Sequence, residues 1–116
     1  MLKIIIFILL SLSLNASSIK EKDYVNKYCE GKKEFILSDK TRIDCLTNDV
    51  VYEFDFAHKF YEAIGQSLYY AIKTNRQAGI YIIINKLEDN RYIIRLKEVC
   101  EKYNIKLNVI YDLKDR

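Results

Sequence analysis

Glu53 and Asp55 stand two residues apart in the alternating run VVYEFDF (50–56), and Asp44 holds a matching polar position in an earlier run, TRIDCL (41–46). Side chains alternate across a strand, so Glu53 and Asp55 share one face while Tyr52, Phe54 and Phe56 share the other. By the same rule Arg42 and Asp44 share a face opposite Ile43 and Cys45. If the two strands pair, Asp44 lies beside Glu53 or Asp55, and three carboxylates crowd one patch of a sheet that also needs a core. Clustered acids repel one another and are costly unless a cation or a lysine neutralises them. Oxygen ligands at one locus suit Mg²⁺ or Mn²⁺ rather than zinc. An ion held by Asp44 and Glu53 could activate water and stabilise a pentacovalent phosphate.

The residues that follow add to this patch. Lys59, Glu62, Gln66 and then Tyr70 or Lys73 recur at steps of three or four, which puts them on one face of a helix beginning directly after the acidic strand. That geometry can aim Lys59 and Gln66 back at the carboxylates, with Lys59 orienting water or neutralising phosphate. The same spacing also describes a solvated polar face with surface ion pairs, and spacing alone leaves both readings open. Arg42 fits a phosphate contact or a pairing with a local acid. His58, the only histidine, reads as a peripheral packing residue.

The elements that must position these residues can be read along the chain. KEKDYVNKYC (20–29) forms a short polar helix with Tyr24, Val25 and Tyr28 on one side, and Gly31 is placed to stop it. KEFIL, SDK and TRIDCL read as strand, tight turn and returning strand; TND is a second turn, and VVYEFDF is a third strand. From Ala57 to Lys73 the period becomes helical, with Phe60, Ala63, Ile64, Leu68 and Ala71 as the inner stripe. Gly79 precedes IYIIIN, an uninterrupted apolar run of the kind found in a doubly covered central strand. Asp89 or Asn90 caps a helix running to about Tyr103, with Ile93, Leu96, Cys100 and Tyr103 inward, and KLNVIY is a last strand. The order αβββαβαβ predicts an α/β fold: an antiparallel meander feeding a crossover helix and strand, in a mixed sheet with helices on its faces.

A chain of 116 residues with half of them apolar, ten Tyr, five Phe and no Pro is expected to form one ordered domain. The first eighteen residues, MLKIIIFILLSLSLNASS, have the layout of a secretory signal peptide: a charged start at Lys3, a short apolar core and small residues near Ala16. The apolar core is short for a membrane span of about 20 residues, although an uncleaved N-terminal anchor is the competing reading. The expected division is therefore 1–18 as signal and 19–116 as the domain, in the periplasm or secreted, with no stable membrane span after cleavage. Without Lys3 the chain has 18 basic against 16 acidic groups, a formal charge of +2 and no polybasic tail, so anion binding must come from local placement. Export puts Cys29, Cys45 and Cys100 in an oxidising compartment. Cys29 and Cys45 flank the expected hairpin and are the natural disulfide pair, with three buried free thiols as the alternative. No CxxC occurs and the histidine is single, so a zinc site is not expected.

These residues together resemble the PD-(D/E)XK nuclease superfamily in its restriction-endonuclease-like form. The element order is similar to that fold's helix, three-strand meander, helix, strand core. The second-strand acid corresponds to Asp44 in RIDC, the E-x-K of the third strand to EFD with Glu53 in the acidic position, and the helical Q-x-x-x-Y to Gln66 and Tyr70 in GQSLYY. More narrowly, LSDKTRIDCLT, YEFDFA and EAIGQSLYY look like a group of small exported bacterial proteins, over roughly residues 29 to 85. The resemblance implies hydrolysis of a nucleic-acid phosphodiester, most often DNA, with Mg²⁺ or Mn²⁺ held by Asp44 and Glu53 and shared by Asp55. It also implies catalytic Lys59 and substrate contacts from Arg42, Gln66 and Tyr70. Two positions depart from the pattern. Asp55 stands where the motif has its lysine, so Lys59 would supply the ammonium from the helix; and Lys40 stands where the turn has glycine. A catalytically inactive nuclease-fold binding module is the alternative that the missing lysine favours. A chain this short often needs a second subunit to grip a duplex, which keeps a homodimer among the expected assemblies.

Overall fold

The computed structural model describes residues 19–113. The expected signal segment, residues 1–18, lies outside the described residues. Helix α1 (Glu21–Tyr28) leads into strands β1 (Lys32–Ile36), β2 (Arg42–Leu46) and β3 (Val50–Phe56). Helix α2 (Phe60–Thr74), strand β4 (Gln77–Ile84), helix α3 (Asn90–Tyr103) and strand β5 (Lys106–Tyr111) follow. The five strands form one sheet in sequence order, with β1–β2 and β2–β3 antiparallel and β3–β4 and β4–β5 parallel. The expected α/β order and mixed sheet are therefore present.

Packing follows the alternation along β3 and β4. Ile80, Ile82 and Ile84 point to the face covered by α2 and α3, where they meet Phe60, Ala63, Ile93, Leu96 and Cys100. Tyr52, Phe54 and Ile83 point to the other face, where Tyr24 and Val25 of α1 close a second cluster. The continuous isoleucine run of β4 is thus apolar on both sides because helices cover both sides. Both long helices end on asparagines in the left-handed conformation, Asn75 (φ 52°) and Asn104 (φ 55°), a common helix stop.

Four local expectations need correction. The second helix does not begin at Ala57; a 3₁₀ turn spans Ala57–Lys59, and α2 starts at Phe60. Gly31 does not stop α1, which ends at Tyr28. A Cβ at Gly31 would stand 2.1 Å from the Leu46 carbonyl oxygen, so glycine is required there by the close approach of backbone to backbone. Gly79 lies inside β4 rather than before it, paired with Tyr52 across the β3–β4 ladder. Tyr103, the last residue of α3, is 61% exposed and does not face the core.

Lys40 has φ 77°, so the hairpin turn does hold a lysine in a conformation suited to glycine, at a cost of about 1 kcal/mol. The turn is tethered elsewhere: the Asp39 carboxylate accepts hydrogen bonds from the Thr41 hydroxyl and from the Tyr69 hydroxyl of α2. Those bonds, Thr41 first, hold the Asp39 carboxyl down to about 2.

Cys29 and Cys45 are bridged, and Cys100 is a buried free thiol. The bond ties the end of α1 to the middle of β2. Its chain separation of 16 residues predicts that reduction lowers the unfolding free energy by about 3 kcal/mol in the loop-entropy description. Urea unfolding of the oxidised and reduced protein should show that loss as a lower midpoint.

Candidate functional site

The β2–β3 ladder is the place where the sheet and the acids compete. Backbone pairing is regular at Cys45↔Tyr52 and Leu46↔Val51, and then stops. At the next position Asp44 faces Glu53. The Asp44 backbone N–H donates to Glu53 Oε2 at 3.0 Å, and the Phe54 backbone N–H donates to Asp44 Oδ2 at 2.9 Å. Each carboxyl therefore serves an amide of the opposite strand, replacing ladder bonds between backbones. Glu53 and Asp55 are 3% and 5% exposed, on the same face as Val51. The sequence placed these three acids on one patch, and the fold puts them there.

A fourth and a fifth acid, not singled out in the sequence, join them. Glu34 on β1 has φ 54°, interrupts the β1–β2 pairing opposite Asp44, and raises its pKa by repulsion. Glu21 opens α1, hydrogen-bonds the Asp55 carboxyl, and repels both Asp55 and Asp44. Its Oε2 atom is buried and accepts no hydrogen bond from the described residues. Glu21 was legible in one respect: it lies three, four and seven residues before Tyr24, Val25 and Tyr28, on the inward stripe of α1.

Charge is strongly disfavoured in this cluster. Asp44, Glu53 and Asp55 all have pKa values raised above the ordinary carboxylate range, with burial the largest cause in each. For Glu53 the next cause is the Asp44 charge, and for Asp55 it is the hydrogen bond to Glu21. Burial and the neighbouring carboxylates push both members of the Asp44–Glu53 pair upward.

The cations are nearer the rim. Lys59 caps α2 from the 3₁₀ turn rather than projecting from the helix, and its Nζ lies 3.7 Å from Glu21 Oε2. Its charge lowers the Asp55 pKa against the larger upward causes. Arg42 is outside the acid pair and bonds Glu34 through Nε at 2.9 Å, the local pairing that spacing had left open. Tyr70 is buried against Ile43, Leu46 and Val51; burial raises its pKa, and Glu53 adds to that. Gln66 is exposed on α2 with no bond to the acids, and His58 is exposed beside the Phe56 ring. A cavity of about 450 Å³ opens over Asp44 between α1 and the hairpin, lined by Glu21, Glu34, Lys20, Lys22 and Arg42.

The donors are hard carboxylate oxygens, and Glu21 Oε2 accepts no hydrogen bond among the described residues and faces only the Lys59 ammonium at 3.7 Å; in chemistry the set fits Mg²⁺ or Mn²⁺. Among the described residues, however, no three His, Cys, Asp or Glu side chains are gathered as one metal-holding group.

Compared with known proteins, the chain matches no family model, no curated protein and no solved structure. Among the described residues no helix is long and apolar enough to cross a membrane.

The raised carboxyls set a pH dependence. A native pKa above the unfolded one means that the folded protein binds more protons, so stability is highest below the unfolded carboxylate range of about 4 and falls as pH rises through the folded values. Thermal melts without divalent ions should show Tm falling from weakly acid to alkaline pH. Glu53→Gln keeps an acceptor for the Asp44 amide and should flatten that fall.

Proposed function

We propose that the chain is an exported, metal-dependent nuclease of the restriction-endonuclease-like kind, hydrolysing phosphodiester bonds of nucleic acid, DNA foremost. The observation that carries this reading is the convergence of Asp44, Glu53 and Asp55 at the split between β2 and β3, beside a buried Glu21 oxygen that meets only the Lys59 ammonium. Buried acids that repel one another destabilise a fold, and a cation removes that cost.

Asp44 and Glu53 would hold Mg²⁺ or Mn²⁺, with Asp55 sharing it; the ion supplies Lewis acidity toward a phosphate oxygen. Asp44, which lines the cavity between α1 and the hairpin, would accept the proton of a water arriving there. Lys59 stands beside Asp55 and Glu21 in place of the motif lysine and would carry positive charge toward the phosphate. Arg42, Lys20 and Lys22 line the cavity and would contact the nucleic-acid backbone. Tyr70 would act from the core by fixing the hairpin, and Gln66 from the exposed face of α2. The disulfide fits an oxidising compartment such as the periplasm or the cell exterior.

A second reading rests on Asp55 in the lysine position and on Lys59 being turned to Glu21: a catalytically inactive binding module in the cell envelope. Cleavage of labelled single- and double-stranded DNA by the oxidised protein with Mn²⁺, beside calorimetric Mn²⁺ titration, separates the two. The nuclease reading expects cleavage that disappears in Asp44→Ala and Glu53→Ala together with Mn²⁺ binding. It also expects Lys59→Ala to lower the rate by about 100-fold while Mn²⁺ still binds. Mn²⁺ binding without cleavage by the unaltered protein supports the inactive module, and the absence of both overturns the metal site.

A further inference from the structure

We infer that the chain carries a second binding site, for a nucleotide, on the sheet face opposite the acids. Only α1 covers that face, and it is eight residues long. Tyr24, near its start, meets Phe56, and Tyr28, its last residue, reaches Tyr81. Past Tyr28 the face is open, and a cavity of about 750 Å³ lies over it, walled by Tyr28, Tyr52 and Tyr81 and bordered by Arg76 and Lys106. The volume is in the range of small-molecule sites.

The tyrosine wall is fixed in place by packing. The Tyr81 ring stacks on Phe54 with centroids 4.5 Å apart and an interplanar angle of 10°, and Tyr52 lies 4.9 Å from Tyr81. The Tyr52 ring lies across β4 because Gly79 beneath it has no side chain. A Cβ there would stand 2.6 Å from both Tyr52 Cδ1 and Val50 Cγ1. Gly79 is thus required by the wall, whose rings, tilted by 54° between Tyr52 and Tyr81 and by 32° between Tyr28 and Tyr81, are held by packing without further ordering.

Two cations border this cavity. Arg76 donates from Nε to the Asn48 carbonyl at 3.1 Å and from Nη1 to the Thr74 carbonyl at 3.4 Å, so neutral acceptors orient its guanidinium. The β4–β5 register pairs Lys106 with Gly79, which brings its side chain to the same face as the tyrosines. Neither residue enters an ion pair among the described residues. Glu30 and Asp49 also reach the lining and restrict where a negative group can sit, favouring the Arg76 and Lys106 end.

Flat phenol rings beside two unneutralised cations select a planar aromatic group that carries an anion. A nucleobase stacks on tyrosine whatever its identity, and its phosphate is bound by Arg and Lys. The ligand is therefore a nucleotide, free or as an unpaired unit of a strand. The inference stands on this cavity and does not depend on hydrolysis at Asp44, because Tyr52 and Glu53 point to opposite faces of β3.

Tyrosine emission provides the readout, since the chain has ten Tyr and no Trp. The oxidised protein is titrated with thymidine 5′-monophosphate, thymidine, inorganic phosphate and a five-nucleotide oligothymidylate without divalent ions. Saturable quenching by the monophosphate is expected, with thymidine or phosphate alone weaker by about tenfold. Tyr28→Ala and Lys106→Glu, neither in the buried core, should each weaken it by about tenfold. An oligothymidylate tighter than the monophosphate identifies a strand as the ligand, and equal affinities identify the free nucleotide; both uphold the site. The site is overturned if neither nucleotide quenches saturably, if inorganic phosphate binds as tightly as the monophosphate, or if both variants bind as the unaltered protein does.

Discussion

Asp44 and Glu53 face each other across two strands, and each carboxyl accepts a hydrogen bond from a backbone N–H of the strand opposite. Most of the candidate site depends on this exchange. A strand pair normally satisfies its own amides, and a buried amide without an acceptor costs roughly as much as a lost hydrogen bond. Here the side chains take over where the backbone ladder stops, after two regular pairs. The strands can then part without orphaning those amides, and the acids are held in the interior by bonds that any carboxylate-to-alanine change would break. Structure and candidate chemistry are carried by the same atoms.

Around that split, the other elements are arranged in proportion to how much charge they must manage. Two long helices and the isoleucines of β4 form a packed apolar layer on the face that carries Glu53 and Asp55. The positive φ at Glu34 and the first turn of α1 bring further carboxylates toward Asp44 and Asp55, not away from them. The compensating cations are Arg42, paired with Glu34, and Lys59, paired with Glu21, and both are more than a third exposed. A local field this negative is a standing cost to the fold in the absence of a cation or bound protons.

The short helix α1 links the two faces of the sheet. Its first turn supplies Glu21 to the acids, and its last residue supplies Tyr28 to the aromatic wall. The disulfide from Cys29 to Cys45 fixes its end beside Asp44. The Tyr24 hydroxyl donates to Asp112 Oδ2 at 2.7 Å, with burial the main cause of its pKa rising to about 12, so α1 is also tied to the chain beyond β5. An eight-residue helix has little stability of its own, and these ties compensate for that.

The sequence by itself determined the order of elements and the shared face of Glu53 and Asp55, because these follow from period and alternation over a few residues; it favoured the Cys29–Cys45 pair, which the folded chain bridges. VVYEFDF alternates so regularly that β3 occupies the same seven residues in the structure. It did not determine which distant groups meet the acids. Spacing puts Glu21 on the inward stripe of α1 without saying what it meets, and Glu34 sits in a polar run where local pattern gives no preference; the packing of α1 and the positive φ at Glu34 bring both to the acids. Lys59 looked helical by spacing, yet a 3₁₀ turn after Phe56 sets its direction. Gly31 and Gly79 looked like punctuation, but close approaches from Leu46 and Tyr52, far along the chain, are what exclude a side chain there. Short-range periodicity fixes which face a residue takes; only the folded chain fixes what that face meets.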